Sequence, residues 1–197
     1  MNSKLAATTL LCAFTALLPL QAQVKKGTYI PKEEIDAYLK RVEGMAVADQ
    51  QVRAVDVGKT NVALGVVYRG KLLKPGPNTV AEHDKVSEVY HILDGSATLV
   101  LGADIVDLKP RPANDRAVRL LNGPGGNGAS IRNGVTYNLK AGDVVIIPAG
   151  VGHLYTSIPD HIRYIMVRLD PDKVAPLKDE AAAKADLASG GGENKSR

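Results

Sequence analysis

The chain has 197 residues, 25 Lys and Arg against 21 Asp and Glu, and a formal charge of +4. That length suits one ordinary domain with a real core. The mild positive excess is interspersed with acids, and with one Phe, no Trp and no aromatic cluster among the basic residues there is no stacking platform for bases, so no nucleic-acid partner is expected.

Residues 1–22 carry Lys4, an apolar run from Leu5 to Leu20 and the small residue Ala22, the pattern of a cleavable secretory signal. The run is too short and too close to the N-terminus for a transmembrane helix, so after cleavage a periplasmic or secreted chain with no membrane attachment is expected. Cys12 is the only cysteine and lies inside this run, behind a Leu11 too bulky for a lipoprotein signal. The mature chain therefore lacks disulfides, thiolate nucleophiles and cysteine ligands, and loss of Lys4 lowers its formal charge from +4 to +3.

Residues 23–60 read as a helix and a lead-in strand. From Pro31 to about Ala46, Ile35, Tyr38, Leu39, Val42 and Met45 recur at helical spacing, with Glu33 and Glu34 in the first turn. Residues 61–170 change to short runs rich in Val and Ile, punctuated by Gly, Pro, Asn and Asp: NVALGVVYRG, EVYHILDG, ATLVLG, VTYNLKAG, DVVIIPAG and HIRYIMVRLD. Such runs predict an all-β domain, an antiparallel sandwich or barrel. Between Asp107 and Gly134 no period is sustained, and a long loop is expected. Residues 171–197 are polar, Ala-rich and Gly-rich without an apolar face, which predicts a disordered, flexible tail.

Two stretches carry chemistry. In HDKVSEVYHILDG, His83 and Glu88 are an odd number of residues apart and could not share a face on one strand, so a turn over Asp84–Ser87 must separate them. In GDVVIIPAGVGH, a turn at Gly142 feeds an apolar strand from Val144 to Ile147. Pro148 and Gly150 then force a tight reversal before His153.

Together these stretches resemble the two motifs of the cupin superfamily. His83, Glu88 and Gly95 fall on the second His, the Glu and the final Gly of the first motif. Gly142, Pro148, Gly150 and His153 fall on the second, with Ser157 in place of its Asn. The resemblance implies a double-stranded β-helix, a jelly-roll barrel, with motif residues converging on one divalent metal ion near its mouth. Ala81 stands where the family has its first His, leaving His83, Glu88 and His153 as the implied ligands. Glu82 faces the other way in a regular strand and could replace the missing ligand only through a bulge. Two imidazoles and a carboxylate suit Fe(II), and Mn, Ni, Co or Zn could use the same set.

The implied activity is that of a metal-dependent oxygenase, isomerase or lyase acting on a small oxygen-rich molecule, with carbon–carbon cleavage the natural version for Fe(II). The alternative is a non-catalytic ligand-binding or structural cupin, and a homodimer is expected in either case. Tyr90 shares a face with Glu88 and Tyr155 with His153, so both phenols are candidate catalytic groups on the cavity wall, with core packing the other reading. His91 is out of phase and His161 sits in a turn. Arg132, Arg163 and Arg168 could attract an anionic substrate, but arginines at such positions usually cap or solvate a surface.

Overall fold

The computed structural model of the chain describes residues 27–190, so the expected signal segment 1–22, with Cys12, and tail residues 191–197 lie outside the described residues. Helix α1 (Lys32–Val42) is followed by strand β1 (Val47–Asp56), the expected lead-in strand, which pairs along its length with β2 (Asn61–Arg69). The helix ends before Met45, at a Gly44 with φ of 76°. Tyr38, Val42 and the half-buried Ile35 and Leu39 form its inward stripe, and Tyr38 packs with Val52 and Val66 on the outer face of β1 and β2.

The barrel is organised by one long strand, β4 (Ser87–Gly102). Its first half pairs with β12 (Ile162–Asp170) and β10 (Val144–Ile147); its second half pairs with β9 (Val135–Lys140) and β11 (Gly152–Ser157). The register with β12 slips by one residue between Arg163 and Tyr164, a bulge just ahead of Gly95 that bends the strand from one sheet into the other. Gly95 is required there: its φ is +75°, and a Cβ would lie 2.0 Å from the carbonyl oxygen of His161. Beyond β11 the second sheet continues through β3 (Val80–His83) to β7 (Gly125–Gly128) and β6 (Lys109–Pro110), while beyond β12 the first continues through β2 to β1. The inward-facing Tyr90, Ile92, Leu99, Leu139, Ile147, Ile162, Tyr164 and Met166 fill the space between the sheets. This is the expected all-β jelly roll.

Two sequence expectations need correction. The segment Asp107–Gly134 is not one long loop. Besides β6 and β7 it holds β8 (Ser130–Arg132), paired with β5 (Asp104–Val106), and a π-helical turn at Val118–Asn122. Gly125 and its neighbours lack the branched side chains that signal a strand, yet they let β7 lie close against β3: a Cβ on Gly125 would lie 2.3 Å from the carbonyl oxygen of Glu82. The segment from Pro171 to Gly190 is ordered as well, unlike the flexible tail expected there. Helix α2 (Glu180–Ala188) starts on an Asp179 cap whose Oδ1 accepts from the Ala182 N–H at 2.8 Å, and it buries Ala183 against α1. The helix docks through Ala183, the half-buried Leu187 and polar contacts, an apolar face too narrow for a sequence pattern to reveal. Among the described residues no helix is long and apolar enough to cross a membrane.

Candidate metal centre

The turn after β3 does what the odd spacing required. His83 closes β3, in register with Gly125 of β7, and Glu88 opens β4 opposite Ile147 on one side and Arg168 on the other. His153 enters from β11, directly across from Ala81. The second motif braces the first, because the Gly150 N–H donates to the His83 carbonyl at 2.9 Å. Ala81 therefore puts a methyl group at the cluster's edge where the cupin pattern has an imidazole.

One ligand atom from each of His83, Glu88 and His153 lies within 4.8 Å of the others. The Nε2 of His83 is 3.4 Å from Glu88 Oε1 and that of His153 is 3.9 Å from Oε2. All three side chains are buried, Glu88 to 2% exposure. Its carboxylate is gripped from both sides: Asn122 Nδ2 donates to Oε1 and the Tyr90 hydroxyl to Oε2, each at 2.6 Å. Arg168 Nε stands 3.6 Å from Oε1, while its Nη2 pairs with Asp49. Burial alone would push the Glu88 carboxyl up; His83, His153 and Arg168 outweigh it and hold Glu88 well below the usual carboxylate range. Burial, against the pull of Glu88, lowers His153 to about 4 and keeps it neutral at physiological pH.

This donor set fits a divalent ion. Two imidazole nitrogens and an ionised carboxylate converge from three strands, and the small Ala81 leaves the remaining positions open. Neither Nδ1 of the two histidines makes a well-formed hydrogen bond. Packing orients the rings instead, with Tyr90 edge-on to His153 at 6.4 Å.

The cluster lies on the wall of a cavity of about 370 Å³ that also meets Ala81, Tyr90, Tyr164 and Met45. Tyr90 is thus where the sequence put it. Burial, followed by the Glu88 charge, pushes its hydroxyl well above the usual phenol range, so it remains a donor to Glu88. Tyr155 is not on the cavity wall: it packs in the core beside Tyr164, ring centroids 6.4 Å apart, with the guanidinium of Arg69 over its ring, while Tyr164 and Arg69 themselves meet the cavity. Glu82 is buried in regular β3–β7 register and is absent from the lining, so it does not replace the missing ligand. His91 is outside the cavity lining, as its phase predicts, but it is exposed rather than partly buried, and it is His161, in a turn where exposure is the expectation, that is partly buried. His161 is half-buried, stacked on Tyr68 and 2.9 Å from Asp94, and Arg163 also pairs with Asp94.

Sequence reasoning missed Asn122 and Arg168. Asn122 sits in the π-helical turn of a segment with no period to read. Arg168 was legible: Ile162, Tyr164 and Met166 alternate inward along β12, and Arg168 continues the same phase.

A bulge-bent strand joining two antiparallel sheets, with two histidines and a glutamate converging at one end, defines a cupin-type barrel. The fold and the two motifs resemble those of the cupin superfamily. The chain's residues 124–187 match a family described as the AraC-like ligand binding domain. Among solved structures it is similar to the DMSP lyase DddQ from Ruegeria pomeroyi DSS-3, at 18% identity over 62% of this chain and 46% of that one, TM-score 0.37. It is also similar to an RmlC-like cupin from Methanocaldococcus jannaschii, at 15% identity over 67% and 89%, TM-score 0.36, and to KdgF from Halomonas sp., at 11% over 65% and 83%, TM-score 0.37. The chain spans less than half the length of the DMSP lyases it matches. Comparison with curated proteins gives no match.

Proposed function

We propose that the chain is a periplasmic or secreted metal-dependent cupin enzyme, a homodimer, acting on a small oxygen-rich organic molecule through His83, Glu88 and His153. The observation that carries this reading is the convergence of three buried ligand atoms within 4.8 Å on the wall of a cavity. A divalent ion held there, Fe(II), Mn, Ni, Co or Zn, supplies a Lewis acid that polarises a substrate oxygen or makes bound water more acidic. The chain's own residues do the rest. Asn122 and Tyr90 fix both oxygens of Glu88, Arg168 keeps it ionised, and burial keeps His153 neutral and free to donate its lone pair. Tyr90, whose ring faces the cavity, holds its proton at Oη beside the site where a substrate oxygen would sit. The signal-like residues 1–22 support export. Val144 and Ile146, exposed on β10, support an apolar contact between two copies.

Elemental analysis of protein refolded or purified in the presence of divalent metals tests the site; absence of bound metal overturns the proposal. A second reading is a ligand-binding module without turnover. It is favoured by the ligand-binding family matched over residues 124–187 and by Ala81 at the position of a fourth ligand. Metal-loaded protein that retains a small molecule but consumes neither oxygen nor substrate across a panel of phenolics, sugar acids and keto acids would support it over the enzyme.

A further inference from the structure

The wall of the cavity carries a cation that the metal cluster does not use. Arg69, the last residue of β2, lines it, and among the described residues no carboxylate lies within ion-pairing distance of its guanidinium. Its Nε donates to the Tyr164 hydroxyl at 3.2 Å and its Cζ lies 4.7 Å over the Tyr155 ring, while among the described residues neither Nη donates to a protein group. The two Nη groups form the fork that grips a carboxylate with paired hydrogen bonds. Elsewhere the arginines that reach an acid pair with it: Arg53 with Glu34, Arg41 with Asp186, Arg163 with Asp94, Arg132 with Asp104 and Arg168 with Asp49.

Arg111 and Arg116 also line the cavity, but each donates to backbone carbonyls, of Glu82 and Asp49 respectively, and Asp115 stands among them, so they do not define the seat. Arg69 does, and a chain of contacts ties it to the cluster. The Tyr164 hydroxyl that accepts from Arg69 belongs to a ring 4.5 Å from that of Tyr90, whose own hydroxyl donates to Glu88. Met45, Val67 and Met166 supply apolar wall between. A volume of about 370 Å³ lies near the lower end of ligand pockets and suits a small molecule.

We infer that the ligand is a small organic carboxylate, its carboxyl group seated on the Nη groups of Arg69 and an oxygen at its other end turned toward His83, Glu88 and His153. This names the substrate class of the proposed function and rests on that reading. The apolar wall takes the carbon chain, and the absence of a protein acid at Arg69 means that the ligand brings the missing negative charge.

Calorimetric titration with 4-hydroxybutyrate and its neutral counterpart 4-hydroxybutyramide tests this on the full chain, with metal content measured in every sample. The carboxylate should bind about tenfold or more tighter than the amide, the scale of one charge-assisted pair. Arg69→Gln should erase that preference without changing metal content. Arg69→Lys, which keeps the charge and loses the fork, should fall between the two and guards against a folding defect. Arg132→Gln should leave the preference intact. The preference should also persist in metal-free His153→Ala protein, because the carboxylate rests on Arg69. Equal binding of the two probes, a preference unchanged in Arg69→Gln, a preference that vanishes with the metal, or no binding of either probe would each overturn the inference. An Arg69-dependent preference in wild-type protein that holds no metal would sink the metal reading and leave the carboxylate seat standing.

Discussion

The helix pair on the outer sheet face and the mouth of the cavity both bury charged side chains, but the first joins its charges to one another and the second leaves donor atoms facing space. Between α1, α2 and β1, Asp186 accepts from Tyr38 at 2.8 Å, Arg41 at 2.9 Å and Lys178 at 2.5 Å, and Arg53 pairs with Glu34 through both Nη groups. At the cavity, Arg69 has its fork free, the two histidine Nδ1 atoms lack well-formed hydrogen bonds, and Glu88 faces two imidazoles. Charge matched within the protein holds elements together. Charge left for an outside partner marks a site.

The contrast can be broken first at its strongest structural point. Glu34→Ala leaves Arg53 buried without a counter-charge and should cost about 3–5 kcal/mol in urea unfolding, while bound metal per folded chain stays the same. A loss of metal with no loss of stability would reverse the assignment of the two regions. Next comes Tyr90→Phe, which removes one of the two donors to Glu88. Metal affinity should fall about 10–100-fold by competition with a chelating dye, with stability changed by only about 1 kcal/mol.

Acid gives a smaller, local effect. Burial raises the Asp186 carboxyl, but Lys178, Tyr38 and Arg41 outweigh it and hold it below its ordinary 3.8. A group depressed in the folded state stabilises above its unfolded value and loses that contribution as pH falls through the folded one. Amide exchange of α2 should therefore accelerate below pH 3.8, and Asp186→Asn should flatten that dependence. The smallest effect belongs to Arg132→Gln. Its pair with Asp104 is exposed and screened by solvent, so the midpoint of the same urea titration should not move measurably.

How much of this was legible in the sequence follows from the same contrast. The barrel and the cluster were readable because Val- and Ile-rich runs announce strands, and because the Gly, Pro and His spacings of the two motifs fix turns that few other residues permit. Gly95 shows why: its conformation and its distance from His161 tolerate no side chain. The expected Met45 in the last turn of α1 instead leaves the helix and reaches the cavity, since Gly44 ends the turn before it. The partners of the cluster were harder to read. Asn122 comes from a Gly-rich segment whose strands are defined by close backbone approach rather than side-chain pattern, and α2 docks by hydrogen bonds, Ala183 and Leu187 alone. Arg69 is an ordinary strand end in sequence, and only the tertiary fold reveals that no acid among the described residues meets it.

The account rests on His83, Glu88 and His153 acting as one ligand set, and metal stoichiometry reads that directly. Wild-type protein loaded with Fe(II), Mn, Co, Ni or Zn and freed of excess by gel filtration should hold about one ion per chain, and His153→Ala should hold none while keeping the wild-type β-sheet circular dichroism. Equal metal in the two proteins, or none in the wild type, would contradict the account.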